Sequence, residues 1–336
     1  MHSGIDQLVI ISLVLSVRML KVFWRKGKEH AMIYTLTTNP AIDMVVHCDK
    51  LQPNRVSRTR DAVYIPTGKG VNVSYVLNHY GLPSTALGFF GGFTGEWLKQ
   101  EASKFCTVKA IDIEDITRVN VFINAGDDEY VMPNAGAPVP RDKQLEMLDI
   151  IDGAEDLSLL IVSGSLAPLM ETSYYDEIAR LFQRKGVDFI LDVSDPHLAD
   201  LVAYEPLLIK PNDEEINEIF GVDVDSPQAI VRALHEVHDR GARNILCTLG
   251  GNGAYFLDDA HVYYANAAKV KMYSTTCAGD ASLAAFLSVW YDDRDAVVPA
   301  LTKAMATGGN VAMGAGIGDL ALVDELEKQI HVTVVD

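Results

Sequence analysis

The run Thr275-Thr276-Cys277-Ala278-Gly279-Asp280 leads directly into Ala281-Ser282-Leu283-Ala284-Ala285-Phe286-Leu287. Small residues close a strand-like segment, an Asp follows, and a helix-forming run begins on its heels. A helix that opens on small residues presents unpaired backbone N–H groups and the positive end of its dipole. That is a site for phosphate. An Asp held there can accept the proton of a hydroxyl attacking the phosphate. The same Asp also reads as a helix cap, a role this residue type favours. The rest of the chain decides between the two.

A phosphate site needs cations nearby. Lys50, Arg55, Arg58, Arg60 and Lys69 lie close in sequence with only Asp61 among them, which reads either as an anion-gathering segment or as a solvated basic loop. The chain as a whole is acidic, with a net charge of −18, which argues against nucleic acid or an anionic membrane as partner. Its 336 residues, 49% hydrophobic and 22% charged, suit one large α/β domain or two modest ones of a soluble enzyme. Cys48, Cys106, Cys247 and Cys277 are widely spaced, form no CxxC and no Cys/His metal pattern, and point to a reduced, cytoplasmic protein. Leu8 to Leu15 is apolar, but its basic residues (Arg18, Lys21, Arg25, Lys26, Lys28) come after it, the reverse of a signal peptide. That run is also shorter than the about 20 residues a bilayer requires. The fold is therefore expected to begin at Met32, with residues 1–31 an extension outside it.

From Met32 the chain alternates strand-like and helix-like segments, the pattern of a mostly parallel sheet with helices on both faces. Met32–Thr37, Ser84–Phe90, Leu159–Val162, Val187–Leu191, Leu207–Ile209 and Asn244–Cys247 read as strands. Polar or small residues follow several of them: Ser163-Gly164-Ser165, Asp192, Lys210-Pro211-Asn212 and Thr248-Leu249-Gly250-Gly251. In open α/β sheets that carboxyl edge binds ligands. Val45-Val46 and Val63-Tyr64-Ile65 read as short strands flanking the basic loop. Arg118–Ile123 and Glu129–Met132 form a hairpin around Gly126-Asp127. Thr67-Gly68-Lys69-Gly70 turns into a helix over Val71–Tyr80, stopped by Gly81, without P-loop spacing. Gly91 to Gly95 is expected to turn into a helix at Glu96.

Taken in order, Asn39-Pro40-Ala41-Ile42-Asp43, Gly68-Lys69-Gly70-Val71-Asn72-Val73, Thr117-Arg118-Val119-Asn120, Ser163-Gly164-Ser165-Leu166, Lys210-Pro211-Asn212 and Ala278-Gly279-Asp280 resemble the motifs of the ribokinase-like sugar kinases, the PfkB family. The likeness runs from Met32 to the end and is strongest to the sugar-phosphate branch, 1-phosphofructokinase and tagatose-6-phosphate kinase, with Gly88 to Gly95 leaning to the former. The resemblance implies one parallel α/β domain, residues 32–336, with a small β-lid in about 44–66 and 117–133. It implies transfer of the ATP γ-phosphoryl group, with Mg²⁺, to a ketohexose phosphate, first of all fructose 1-phosphate. Tagatose 6-phosphate or fructose 6-phosphate are the near alternatives, and a weakened sugar-phosphate sensor a further one. By position Asp280 matches the catalytic base, and the amides of Cys277, Ala278, Gly279 and Asp280 the anion hole. Asp43 matches the residue on sugar hydroxyls. Gly68, Lys69 and Asn72 match the substrate turn, and Arg118 with Arg58 the grip on the substrate phosphate, while Ser163 and Ser165 read either as lining the site or as turn formers. Asn212 and Glu215 match an element ordering Mg²⁺, held by Glu215 through water or phosphate. Thr248, Gly250 and Gly253 match the ATP loop. A homodimer through the lids is implied as well.

Two positions depart from the family text. Cys277 stands where the anion-hole motif has its first glycine, and Thr67 where the substrate turn has its own. A positive φ at Cys277 would be strained. A cysteine at a helix N-terminus is expected to have a depressed pKa, and a thiolate beside a phosphate repels it. The alternative is a thiol that packs away neutral.

Overall fold

The structure, a computed structural model, describes residues 31–336. The expected extension therefore lies, apart from Ala31, outside the described residues. Among those described, a ten-stranded sheet has the order β14-β13-β12-β11-β10-β9-β8-β1-β4-β5. Its strands are β1 (Met32–Thr37), β4 (Ser84–Gly91), β5 (Thr107–Ile113), β8 (Leu157–Ser163), β9 (Asp188–Asp192), β10 (Leu208–Ile209), β11 (Ile245–Thr248), β12 (Ala254–Leu257), β13 (Val262–Ala265) and β14 (Val332–Val334). Pairing is parallel from β5 through β11 and antiparallel from β11 to β14.

Successive strand residues serve opposite faces of the sheet. Leu160, Val162, Leu191 and Ile209 join one buried core, and Leu159, Ile161, Ile190 and Leu208 the other. Both faces being covered explains why these strands read as unbroken apolar runs. The second core is roofed by helix α8 (Ala278–Trp290) and helix α9 (Val297–Val311). Asp280 through Leu287 is buried without a break, so α8 is a central helix rather than a surface one. Between β3 (Arg60–Thr67) and β4 lies α1 (Lys69–His79), and Gly92–Ala102 forms α2.

A second, four-stranded sheet has the order β3-β2-β6-β7, with β2 (Ala41–Cys48), β6 (Arg118–Ala125) and β7 (Asp128–Met132). It is tied to the main sheet at two places that matter for the site: Thr38-Asn39-Pro40 joins β1 to β2, and Gly68 joins β3 to α1. Gly68 adopts φ 136°, a backbone open to glycine, and this swings α1 off the end of β3.

Some expectations change. The segment before Thr275 is not a strand. Tyr273 and Ser274 donate their N–H groups to the Ala312 carbonyl past the end of α9 instead of to a neighbouring strand. Helix α2 begins at Gly92, not Glu96, because the Thr94 hydroxyl donates to the Thr117 carbonyl (2.7 Å) and seats the first turn. The antiparallel edge β12–β14 and the outer strand β5 were not expected: they are short or alternate weakly, unlike the central strands.

The loop from Leu249 to Gly253 shows why glycines recur there. A Cβ on Gly253 (φ 101°) would stand 2.0 Å from the Ala265 carbonyl oxygen, whereas one on Gly250 (φ 53°) would meet nothing within 4 Å. Gly253→Ala is expected to destabilise the protein by about 3 kcal/mol or more, and Gly250→Ala by about 1 kcal/mol. Scanning calorimetry of both variants checks this: equal melting temperatures would contradict it.

Candidate active site

Helix α8 opens on Cys277, whose backbone is left-handed at φ 66°, ψ −9°. Helix geometry leaves the first-turn N–H groups without intrahelical partners. The Ala278 N–H turns back to the Thr275 carbonyl (3.2 Å), whereas the Cys277, Gly279 and Asp280 N–H groups have no backbone acceptor. The four-amide anion hole expected from Cys277 to Asp280 is thus narrowed, because the tight turn uses the Ala278 donor itself. The Lys210 ammonium stands beside this helix end, 3.4 Å from where a Cβ on Gly279 would be.

Asp280 is 6% exposed and sits in the first turn of α8. Its Oδ2 accepts a hydrogen bond from Asn72 Nδ2 of α1 (2.8 Å). Close by, Asp192 at the end of β9 takes two lysines on one oxygen: Lys69 Nζ at 3.2 Å and Lys210 Nζ at 3.1 Å. Burial alone would raise the Asp192 pKa, but Lys210 and Lys69 overcome it and hold the carboxyl below the usual range. Asp280 goes the other way. Burial, then the Asp192 charge, push it up to about 6 against the pull of Lys69, Asn72 and Lys210. Burial opposes the Lys69 ammonium, yet Asp192, Asp280 and Glu215 keep its pKa above the ordinary lysine value. A carboxylate with a pKa near 6 beside two fixed ammonium groups can take up a proton near neutral pH while phosphate charge is neutralised next to it.

The second sheet supplies the facing wall. Asp43 of β2 is buried and accepts from Asn120 Nδ2 of β6 (2.8 Å). Burial raises its pKa, opposed by Asn120 and Arg118. Arg118, at the start of β6, donates from Nη2 to the Asn39 carbonyl and from Nη1 to the Asn134 carbonyl, both 2.9 Å. Its Nε is buried with no partner in the protein. Two backbone anchors therefore fix the guanidinium plane at the cavity wall. A cavity of about 320 Å³ joins the two walls, lined by Asp43, Lys69, Arg118, Asn120, Lys210 and Asp280 among others.

On the other side of Lys210 the chain runs into Asn212 and Glu215. The Asn212 side chain accepts from the Glu215 N–H (2.7 Å), and Glu215 Oε2 accepts from the Asn212 N–H (2.9 Å). This capping box starts the helix Asp213–Phe220, and the Glu215 charge is near enough to help hold the Lys69 pKa up. Among the described residues no cluster of three or more His, Cys, Asp or Glu could hold a metal ion by itself. A single carboxylate of this kind suits Mg²⁺, an ion held by few carboxylates and otherwise by water and ligand phosphates, and Glu215 would be the residue to hold it. Thr248 ends β11, bonded through its N–H to the Pro211 carbonyl, and leads into the 249–253 loop.

Several sequence expectations shift. Arg58 lies exposed in the loop between β2 and β3 and does not line the cavity, since nearness in sequence to Lys69 is undone by the length of β3. Ser163 is buried at the end of β8 with its hydroxyl unpaired and off the cavity lining. The Cys277 thiol is not depressed. Burial first, then Asp280 and Asp43, push its pKa well above the usual thiol value, so it stays neutral. Lys210, Asp192 and Asn120 were visible only as parts of motifs or as strand ends, and nothing in the linear text pairs them. A larger cavity, about 670 Å³, lies on the far side of α1 between Tyr75, His79, Phe105 and the 315–319 loop. It shares only Asn72 with this site.

The pfkB family carbohydrate kinase profile matches residues 29–316. The chain is 44% identical over 302 residues, 90% of its length and 99% of the relative's, to the D-tagatose-1-phosphate kinase of Klebsiella oxytoca. To the 1-phosphofructokinase of Bacillus subtilis it is 29% identical over 304 residues, 90% and 99% of the two chains. Among solved structures, phosphofructokinase-2 from Escherichia coli in complex with substrates and products superposes with a TM-score of 0.82 at 24% identity, over 89% of this chain and 99% of that one, a likeness of fold.

If Asp280 accepts the proton, kcat/KM falls as pH drops through about 6, where that carboxyl becomes protonated. Asp192→Asn removes the like charge and moves this acid limb to lower pH, while ionisation of the substrate's own phosphate stays where it was. Profiles of the two proteins check the assignment: a limb that does not move belongs to the substrate.

Proposed function

The chain belongs to the pfkB family of carbohydrate kinases, and from that premise we propose that this sugar-phosphate kinase transfers the γ-phosphoryl group of ATP to the 6-hydroxyl of a ketohexose 1-phosphate. The observation that carries the reading is the meeting, in one cavity, of the Asp280 carboxylate, the α8 N-terminus and the Lys210 ammonium with a facing wall of Asp43, Asn120 and Arg118.

In this reading Asp43, held by Asn120, receives sugar hydroxyls. The Arg118 guanidinium and the Lys69 ammonium, both on the cavity wall, hold the substrate phosphate. The acceptor hydroxyl then lies against Asp280, which takes its proton as the new O–P bond forms. The Gly279 and Asp280 N–H groups and Lys210 face the oxygens of the transferred group, where charge spreads in the transition state. Asn212 and Glu215 order Mg²⁺, which neutralises nucleotide phosphate charge when bound. Thr248, Gly250 and Gly253 shape the nucleotide loop. The second sheet acts as a lid whose closure excludes water from the transfer.

Of the candidate sugars, D-tagatose 1-phosphate comes first, supported by 44% identity to a kinase of that name, and fructose 1-phosphate second. The two sugars differ only in configuration at C4, so one cavity accommodates both phosphates. A coupled assay of ADP release with Mg·ATP against tagatose 1-phosphate, fructose 1-phosphate, tagatose 6-phosphate and fructose 6-phosphate tests the proposal. Turnover is expected on the 1-phosphates, with kcat lowered at least about 1,000-fold in Asp280→Asn. Preference for a 6-phosphate overturns the substrate assignment, and an active Asp280→Asn overturns the base.

The outer strands β3 and β7 of the lid leave Val63, Tyr64, Tyr130, Val131 and Met132 exposed. Such apolar edge strands are normally covered, and we take a second copy of this chain as the cover, in the reducing cytoplasm that four unpaired cysteines suit. Sedimentation is expected to give twice the chain mass, and Tyr64→Asp with Val131→Asp a monomer. A monomeric wild type contradicts the dimer.

A further inference from the structure

The two places where the chain departs from the family text meet in space. Thr67 closes β3 and Cys277 opens α8, and both side chains face Asn72. Asn72 Nδ2 stands 3.3 Å from Thr67 Oγ1, 3.2 Å from Cys277 Sγ and 2.8 Å from Asp280 Oδ2. All four residues are buried.

A carboxamide nitrogen carries two hydrogens. The carboxylate is the short, charge-assisted acceptor and takes one of them. The hydroxyl and the thiol are left to share the other. With glycine at both positions that second hydrogen would have neither acceptor, on a wall of the cavity where no other protein group is in reach of it. Cysteine, moreover, holds a left-handed backbone that favours glycine. What its side chain makes in return is the contact to Asn72, and burial keeps the thiol neutral so that it sits beside Asp280 without charge repulsion.

We propose that Thr67 and Cys277 are a coupled pair of positioning residues: together they hold the second amide hydrogen of Asn72 and so aim the first at the Asp280 carboxylate. The inference rests on the reading of Asp280 as proton acceptor. Asp280 is faced by Asp192 from β9, Lys69 and Asn72 from α1, Lys210 after β10 and the Cys277 thiol from its own helix, with Asp43 of β2 near that thiol. Asn72 and the two lysines favour the ionised carboxylate, while burial and Asp192 oppose it. A loosened Asn72 therefore moves the Asp280 titration upward.

Two acceptors sharing one hydrogen are partly redundant, so their losses should not add. The test is a cycle of Thr67→Val, Cys277→Ala and the double variant, with alanine retaining the backbone strain at 277. Each single change is expected to lower kcat roughly two- to threefold and the double change about thirtyfold or more, with KM for the sugar phosphate within about threefold. The acid limb of the pH profile should rise in the double variant, and Cys277→Ser placed in the Thr67→Val background should bring it back down. A double variant whose loss equals the product of the single losses, or whose acid limb matches wild type, overturns the proposal. Asp280→Asn run alongside separates the two readings: if it stays active, the base assignment fails, and if it is inactive while the cycle is additive, only the coupling fails. Circular dichroism and melting temperature establish folding. Should the double variant not fold, the cycle of Thr67→Ala with Cys277→Gly carries the same comparison without strain at 277.

Discussion

Everything at this site depends on holding four charges together with little water between them. Asp192, with its side chain 2% exposed, Lys210 at 7%, and Lys69 at 33% form one chain of contacts, and Asp280 lies beside it. Moving a single ion of this kind into a protein interior costs several kcal/mol, and removing one partner of a buried pair leaves the other uncompensated at about 3–5 kcal/mol. Two acids and two lysines balance. The balance is uneven, however. Asp192 sits directly between the lysines, whereas Asp280 has an amide and a helix end. Asp192 therefore keeps its negative charge, and Asp280 becomes the group whose protonation changes near neutral pH.

The four members come from four elements: the ends of β9 and β10 and the starts of α1 and α8. A parallel sheet brings strand ends to one edge, and right-handed crossovers bring the following helices back to it. The two cores on either face of the sheet fix that edge, because Ile190 and Leu208 face one core while Leu191 and Ile209 face the other, on the same strands that end in Asp192 and Lys210. A register slip of one residue would exchange the faces and break the charge cluster together with the packing. Stability and chemistry thus share one constraint.

What the sequence disclosed followed from how local each signal is. The central strands, α1, α8 and the gathering of Asp280, Lys69, Asn72, Arg118 and Asp43 around one cavity were legible because each is carried by a contiguous motif. The Asn212 and Glu215 pair was legible by spacing, and its capping box adds a structural duty to the one expected. Contacts between elements were not legible. Asp192 with Lys69 and Lys210, and Asn120 with Asp43, join residues from different strands, and no spacing rule links them. Of the two readings open for the Cys277 thiol, the neutral one holds for a physical reason: the helix dipole that depresses an exposed thiol is outweighed by burial and by two neighbouring carboxylates. Arg58 was misjudged because charge density along the chain is not charge density in space.

That last distinction answers how a chain of net charge −18 binds anionic ligands at all. Of the basic run seen in the sequence, Lys69 alone lines the cavity. Arg60, for example, is spent on Asp49 and Asp61 at the surface, where a pair contributes little. The cations lining the cavity are Lys69, Lys210 and Arg118, each from a separate motif, with the N-terminus of α8 beside them. At a few ångströms in a weakly screened cavity, one charge interacts several times more strongly than at a wet surface. Three cations and a helix end suffice there, while surface acids beyond a Debye length of about 8 Å are largely screened at physiological salt. The acidic surface and the anion-binding cavity do not contradict each other, because dielectric and distance separate them.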